Sequence, residues 1–300
     1  MRRFSFRAVS RSLIVALSWT FVLGNVAGQP ASPPANELVK LTVEKEAKVD
    51  DQTMKFMFKQ RKETPGGSQT RLMVQTREAM AGMTVANNDH PLSPEQRQGE
   101  FGRVERFISE PEELQRKARK EKEDSERVQR ILRALPEAFL YEYDGTETGW
   151  PGVGRSGEQL VRLKFRPNPK YDPPSRVEQV LTGMQGLVLI DPKQQHIARI
   201  DGTLMRDVGF VWGILGHLDK GGHFLVDQSD VMQNNWAITR MELSFTGKLL
   251  LFKSLLIKST EVFSDFRPVP ANLTFAQGVQ LLKKQVNQVA ENQPQVGSGK

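Results

Sequence analysis

The segment from Gly186 to Phe266 constrains the fold more than any other part of the chain. Short apolar runs follow one another there, and turn residues such as Asp191-Pro192 and Asp201-Gly202 separate them. No interval between the runs is long enough for a helical crossover, so neighbouring strands have to pair in the antiparallel sense. The segment therefore predicts an antiparallel meander. Its apolar runs are GLVLI (186–190), HIARI (196–200), FVWGIL (210–215), HFLVD (223–227), ITRMELSF (238–245) and LLLFKSLLI (249–257).

The remainder of the chain adds strands and helices to this meander. Alternating polar and apolar residues around a Pro65-Gly66-Gly67 turn predict a hairpin, followed by a third strand at 80–85. Asn36 is a plausible N-cap for a helix that ends near Lys48, and Thr274 with Gln277 forms a capping box for a last helix. Further strands are expected at 139–143 and 160–165, with a short helix at 175–184. The predicted class is mainly β (α+β).

Residues 93–135 differ in kind, because charged residues dominate them. Ser93-Pro94 and Ser109-Glu110-Pro111 each resemble a helix start, which predicts two helices or one helix bent near Pro111. Acids and bases one turn apart indicate a solvated helix held by its own ion pairs; the expected pairs are Glu112–Arg116, Glu113–Lys117, Glu123–Arg127 and Glu126–Arg130. A few apolar residues are available to dock on the sheet, namely Phe101, Val104, Phe107, Val128, Ile131, Leu132 and Leu135.

The first 28 residues have the pattern of a cleavable signal peptide. Four arginines precede an apolar run at 13–23, and small residues follow at Ala27 and Gly28, where we expect cleavage. Eleven apolar residues are too few to span a bilayer. Without this segment the formal net charge falls from +7 to +3, because it contains four arginines and no acid. The modest remaining charge gives little support for nucleic-acid binding, and we expect a periplasmic or secreted protein without a transmembrane segment.

The expected domain organisation follows from these elements. It comprises the signal peptide (1–28), a leader and N-terminal helix (29–51), one half-barrel domain (52–290) that contains the helical insertion 93–135, and a disordered tail (291–300). The chain contains no cysteine, which excludes disulfides, thiol catalysis and lipid attachment through an N-terminal cysteine.

Two groups of residues resemble chemical sites. Gly152-Val-Gly154-Arg-Ser-Gly157 matches the dinucleotide fingerprint by letter, but a strand rather than a helix is expected after it, so a loop is the better interpretation. His217, Asp219 and His223 fall short of the usual ligand count for zinc. If Lys220-Gly221 forms a two-residue hairpin turn, the histidines face opposite sides of the sheet; a three-residue loop brings them together. We expect no catalytic residues, metal or cofactor.

Two strands of the meander are apolar on both faces, and this is the most informative functional signal. In 210–218 and in 249–257 neither face alternates with polar residues, so each face has to be covered. Helices of this chain could cover them, or the strands could line an apolar cavity for a lipophilic ligand. The residues expected to line such a cavity are Phe210, Trp212, Ile214, Leu250, Phe252 and Leu256.

Several sequence blocks are similar to one group of proteins. GLVLIDPKQQHIARIDGTL, GILGHLDKGGHFLVDQSDVMQNNWAITRMELSFTGKLLLFKSL and TEVFSDFRPV, with MKFMFKQRKE, NNDHPLSPEQ and ILRALPEAFLYEYDG further upstream, resemble exported proteins related to the outer-membrane lipoprotein-sorting (LolA-like) family. The resemblance covers about residues 52–268. It implies a curved, incomplete β-barrel with a helical lid, whose cavity holds lipoprotein acyl chains in the LolA carriers. The long insertion 93–135 departs from those compact carriers.

The function expected from these observations is that of an exported carrier that binds a lipid or the acyl chains of a lipoprotein. A second interpretation is a non-catalytic envelope structural or interaction protein whose cavity is filled by its own side chains and whose charged helical segment 93–135 is the contact surface. The helix at 110–135 is the part expected to meet an envelope protein. A hydrolase with dispersed catalytic residues is a third, although no nucleophile elbow, metalloprotease helix or phosphate-binding loop is present in the sequence.

Overall fold

The computed structural model describes residues 33–48, 54–209, 216–249 and 253–291. Its helices are α1 (Ala35–Glu46), α2 (Pro94–Ser109), α3 (Pro111–Ala138), α4 (Arg176–Gln179) and α5 (Phe275–Glu291), with a 3₁₀ turn at Val180–Gly183. Its strands are β1 (Lys55–Thr64), β2 (Gly67–Gln75), β3 (Met80–Asn87), β4 (His90–Pro91), β5 (Phe139–Thr148), β6 (Gln159–Pro167), β7 (Met184–Asp191), β8 (His196–Leu204), β9 (Val208–Gly209), β10 (Gly216–Leu218), β11 (His223–Met232), β12 (Asn235–Leu249) and β13 (Lys253–Val269).

One antiparallel sheet contains all of these strands. Its order is β4-β3-β2-β1-β13-β12-β11-β8-β7-β6-β5; off this path, β10 pairs with β12, and β9 pairs with β10. Strands β4 and β5 lie at opposite ends of this order and do not pair with each other in the part of the chain that the structure describes. The sheet is therefore open, which confirms the predicted fold class of an incomplete, curved barrel with helices packed on it.

Helix α1 and the C-terminal part of α3 pack on one face of strands β5–β8. The buried contacts come from Leu38 and Val39 of α1 and from Leu135 of α3, which meet Val188 and Ile197 of the sheet. Burying such side chains contributes roughly 1.5–3 kcal/mol each to stability. The space beneath these two helices is therefore occupied by the side chains of the protein itself.

A second apolar cluster holds α5 and α2 against strands β1–β3. Phe275, Val279, Leu282 and Val286 of α5 are buried there, and Val104 of α2 joins them. The capping box of α5 is confirmed, because the amide of Gln277 donates to Oγ1 of Thr274 at 3.3 Å and Oε1 of Gln277 accepts from the Thr274 amide at 2.9 Å.

The charged region forms two helices, with the break at Glu110 between α2 and α3. The capping box at Ser93 and Gln96 that begins α2 is present. The predicted ion pairs along α3 are wrong, since its charges pair instead as Glu113–Arg116, Lys117–Glu121, Lys122–Glu126 and Asp124–Arg127. Val128 was expected to dock on the sheet, but 65% of its surface is exposed.

Two further local predictions are wrong for tertiary reasons. Asn36 does not cap α1, which begins one residue earlier; its amide instead donates to the carbonyls of Pro136 and Phe139 at 3.3 Å each, tying α1 to the end of α3. The segment 219–222 does not reverse the chain as a hairpin turn. Strands β10 and β11 both pair with β12, so they follow each other along the same edge of that strand.

Some predictions concern residues outside those that the structure describes. The signal peptide (1–28), residues 292–300 and the strand predicted at 210–215 belong to this group. Among the helices that the structure describes, none is long and apolar enough to cross a membrane.

Candidate functional site

Strand register places one row of side chains across five neighbouring strands. Leu189 of β7 lies opposite Arg199 of β8, which lies opposite Asp227 of β11; Asp227 lies opposite Arg240 of β12, and Arg240 opposite Val262 of β13. Directly opposed residues of antiparallel strands project from the same face of a sheet. The row therefore lies on the face opposite to Val188 and α1.

A cleft of about 700 Å³ lies over this row. The loop from Trp150 to Val153 forms one wall, and strands β11–β13 form the floor and the other wall. Its volume falls within the range of pockets that hold small ligands, about 300–1,000 Å³. The apolar part of its lining consists of Trp150, Pro151, Val153, Leu225, Val231, Val262, Phe263 and Phe266.

The wall of the cleft is the loop that matched the dinucleotide fingerprint by letter. Gly152 and Gly154 adopt positive φ angles of 90° and 65°, which allow the chain to turn back on itself. The Gly154 amide donates to the carbonyl of Gln228 at 2.8 Å, and Oγ of Ser229 donates to the Gly154 carbonyl at 2.6 Å. Strand β6, not a helix, follows the loop, so the prediction that a strand comes after it is confirmed.

The most buried charges of the cleft belong to Arg199 and Asp227. Nε and Nη2 of Arg199 donate to the two carboxylate oxygens of Asp227 at 2.6 and 2.9 Å, and only 4% of the Asp227 side chain is exposed. The guanidinium carbon of Arg199 lies 4.9 Å from the centre of the Trp150 ring, within the range of a cation–π contact. The two strands and the loop are therefore tied together at this point.

A second, more exposed pair of charges lies beside the first. Arg240 Nε donates at 2.5 Å to Oε1 of Glu242, which lies two residues further along β12. Both carboxylates of the cleft are thus engaged by arginines, which does not suit either of them to act as a general base. The cleft offers a strip of paired charges beside an apolar wall, and this arrangement can hold a ligand that has both a polar and an apolar part.

Most of the residues predicted to line a cavity lie outside the described residues, namely Phe210, Trp212, Ile214, Leu250 and Phe252. Leu256 lies on β13 and is 64% exposed. The register of β12 with β13 is continuous from Leu249 to Arg240, so Leu256 projects from the same face as Val262. The six positions stay a prediction.

Sequence reasoning missed the residues that do line the cleft. Arg199 and Asp227 are 28 positions apart, and only the pairing of β8 with β11 brings them together. Trp150 is brought to them by the loop. The one available signal was a charged residue in each of two otherwise apolar strands, at the second-last position of HIARI and the last of HFLVD.

The histidines considered as metal ligands have separate partners. His217 Nε2 lies 3.1 Å from Oδ1 of Asp219, whereas His223 Nε2 lies 2.9 Å from Oδ1 of Asp201. Within the ranges that the structure describes, no group of three or more His, Cys, Asp or Glu side chains is placed to hold a metal ion.

Comparison with protein-family models finds no match, and comparison with characterised proteins finds none either. Among solved structures, a domain of Vibrio parahaemolyticus described as an outer membrane lipoprotein-sorting protein is similar, with 11% identity, 76% of this chain and 92% of that chain covered, and a TM-score of 0.27. A DUF1329 family protein from Desulfovibrio piger is similar with 10% identity, 79% and 94% coverage, and a TM-score of 0.26.

Proposed function

We propose that this chain is an exported, non-catalytic protein that binds a lipid or a lipidated partner in the cleft between the Trp150 loop and strands β11–β13. The observation that carries the proposal is the composition of the cleft, in which an apolar wall lies beside two arginine–carboxylate pairs. An amphiphile needs both surfaces at once, since its chain has to leave water while its head group stays hydrogen-bonded.

Exposed apolar side chains extend the cleft along the same face of the sheet. Val262 is 37% exposed and lies directly opposite Arg240, so it projects from the face that carries Arg240. Leu256 continues this face toward the end of the β12–β13 hairpin. An acyl chain that lies along β13 would cover these side chains. Each methylene that it buries would contribute about 0.8 kcal/mol to binding.

The residues predicted from the sequence are part of the same proposal. Phe210, Trp212, Ile214, Leu250, Phe252 and Leu256 are proposed to extend the acyl-chain surface beyond the cleft, because their two strands are apolar on both faces. Export to the periplasm or beyond rests on the signal-peptide pattern of residues 1–28. An exported carrier would meet lipoprotein acyl chains in that compartment.

The test is binding of a lipid to the mature protein. The protein is purified gently from its own envelope fraction, examined by native mass spectrometry with lipid extraction, and titrated with a fluorescent fatty acid. We expect a discrete lipid or acylated peptide in the spectrum and saturable uptake of the fatty acid. A mass without any adduct, together with no uptake, would exclude the carrier function.

Matched variants locate the binding surface. Val262→Asp and Trp212→Asp place a charge where the chain is proposed to lie, and we expect each to weaken uptake at least about tenfold. Val128→Asp makes the same change at a residue of α3 that is 65% exposed and lies away from the cleft, and it should bind as the wild type does. Equal uptake by all three variants would show that the ligand does not bind at Val262 or Trp212.

A contact between α3 and an envelope protein is a second candidate function. The observation that favours it is the exposed Val128, an apolar residue on the otherwise charged surface of α3. Crosslinking in intact cells from position 128, compared with position 205 of the exposed Met205, tests this function directly. A partner captured from position 128 alone would support it, and equal recovery from both positions would not.

A further inference from the structure

A small enclosed cavity lies between the sheet and the charged helices, away from the cleft. Its volume is about 40 Å³. A water molecule needs about 10–15 Å³ of such space, so the cavity has room for a small group of atoms. Three cationic side chains line it, Arg71 of β2, Arg103 of α2 and Lys117 of α3, together with the rings of Phe107 and Phe275. No carboxylate lines it among the residues that the structure describes.

Two of the three cations already have a partner. Arg103 uses Nε and Nη2 on the carboxylate of Glu100, at 3.0 and 2.8 Å, and Nη2 also donates to the Gly82 carbonyl at 2.8 Å. Lys117 lies 2.7 Å from Oε1 of Glu121 and 5.9 Å from the centre of the Phe107 ring. These bonds hold the two side chains in fixed positions around the cavity.

Arg71 has no such partner within the described parts of the chain. Its Nε atom is buried and makes no hydrogen bond, and no carboxylate lies within ion-pair distance of its guanidinium. Burial, and to a lesser extent the neighbouring Arg103, lowers the pKa of Arg71 below its ordinary value. The two acids that act on its charge, Glu100 and Glu261, are engaged by Arg103 and Lys62.

The buried Nε–H of Arg71 has lost water without gaining an acceptor, and this loss is costly. We infer that the cavity beside Arg71 is a binding site for a small inorganic anion, which Arg71 and Arg103 hold together. Guanidinium groups are suited to this role, since their N–H donors lie in a fixed plane and stay charged. The bound anion joins β2 to α2 and α3, and so locks the charged helices onto the sheet.

Thermal unfolding in different sodium salts tests this inference on the full mature chain. Sodium phosphate and sodium chloride are each compared with sodium gluconate, whose anion is too large for the cavity, at equal ionic strength and pH. We expect phosphate, chloride or both to raise the Tm by about 2–4 °C at several times Kd, because a ligand that binds only the folded state stabilises it. An identical Tm in all three salts would overturn the inference.

Variants assign the effect to the cavity. Arg71→Met should lose the dependence on the anion, and in gluconate it should be at least as stable as the wild type, because the uncompensated charge is gone. Arg119→Gln removes an exposed arginine of α3 and should keep the dependence. Persistence of the salt effect in Arg71→Met would show that the anion binds elsewhere. A large loss of stability of this variant in gluconate would show that Arg71 is satisfied without an anion.

Discussion

The carboxylate of Glu121 on α3 accepts a hydrogen bond from the backbone amide of Met80 on β3, with 2.9 Å between Oε2 and N. Two residues of α2 contact the same stretch of strand, since Oε2 of Glu100 accepts from the Thr84 amide at 2.9 Å and Arg103 donates to the Gly82 carbonyl at 2.8 Å. Within the described residues, 80–84 pair with β2 on one side only, so their other side is an edge of the sheet. The charged helices thus supply partners that another strand would otherwise provide.

Removing the Glu121 carboxylate should expose this edge. We expect Glu121→Ala to lower the free energy of unfolding by about 1 kcal/mol, through the lost hydrogen bond to Met80, and to promote self-association through the free amides. Urea unfolding and sedimentation velocity measure the two effects. Glu126→Ala, on the same helix and 4.0 Å from Lys122, is the control and should change neither. A Glu121→Ala variant that stays as stable and as monomeric as the control would contradict edge protection.

Stability should fall in acid partly because of Glu100. Burial by itself raises the pKa of this carboxyl, but hydrogen bonds from Arg103 and from the Thr84 amide outweigh it, so the pKa lies below its ordinary value of 4.5. The folded state then binds this proton more weakly than the unfolded state does. The resulting stability is complete above about pH 4.5 and is lost as the pH falls through the lower pKa of the folded state.

The variant Glu100→Gln tests this dependence. It keeps an acceptor for the Thr84 amide but removes the negative charge that pairs with Arg103, so we expect it to be less stable than the wild type by about 1–2 kcal/mol at pH 7. The difference should shrink between pH 5 and pH 3, as the wild-type carboxyl becomes protonated. Urea midpoints across this range measure it, and a difference that stays constant with pH would contradict the assigned cause.

The Arg199–Asp227 pair should contribute more to the stability of the protein than the second ion pair of the cleft, Arg240–Glu242. Asp227→Ala leaves the half-buried Arg199 guanidinium without its bidentate partner, and we expect a loss of about 3–5 kcal/mol in the free energy of unfolding. Glu242→Ala breaks the neighbouring, more exposed pair with Arg240 and should cost about 1 kcal/mol or less. Equal losses in chemical denaturation would show that burial does not distinguish the two pairs.

The difference between local and long-range information explains which features the sequence could predict. The cap formed by Thr274 and Gln277 was predictable because its partners are three residues apart, and the buried stripe of α5 follows from helical periodicity. Asn36 has the chemistry of a cap, but its amide bonds carbonyls about one hundred residues away. The run of strands β10 and β11 along one edge of β12 depends on register, which a turn motif such as Asp219–Gly222 does not specify.

The packing of β7 against β8 at Gly186 provides a further test of register. Gly186 lies opposite Gly202, and a Cβ atom built on Gly186 would lie 1.9 Å from the carbonyl oxygen of Asp201, a backbone atom that cannot rotate away. We expect Gly186→Ala to separate the two strands and to lower the free energy of unfolding by about 3 kcal/mol, or to prevent folding. Gly102→Ala in α2 makes the same change where a Cβ meets nothing within 4 Å, and it should stabilise the helix by about 0.5–1 kcal/mol. Thermal unfolding of the two variants should therefore shift in opposite directions, and a tolerated alanine at 186 would show that the strands are not in this register.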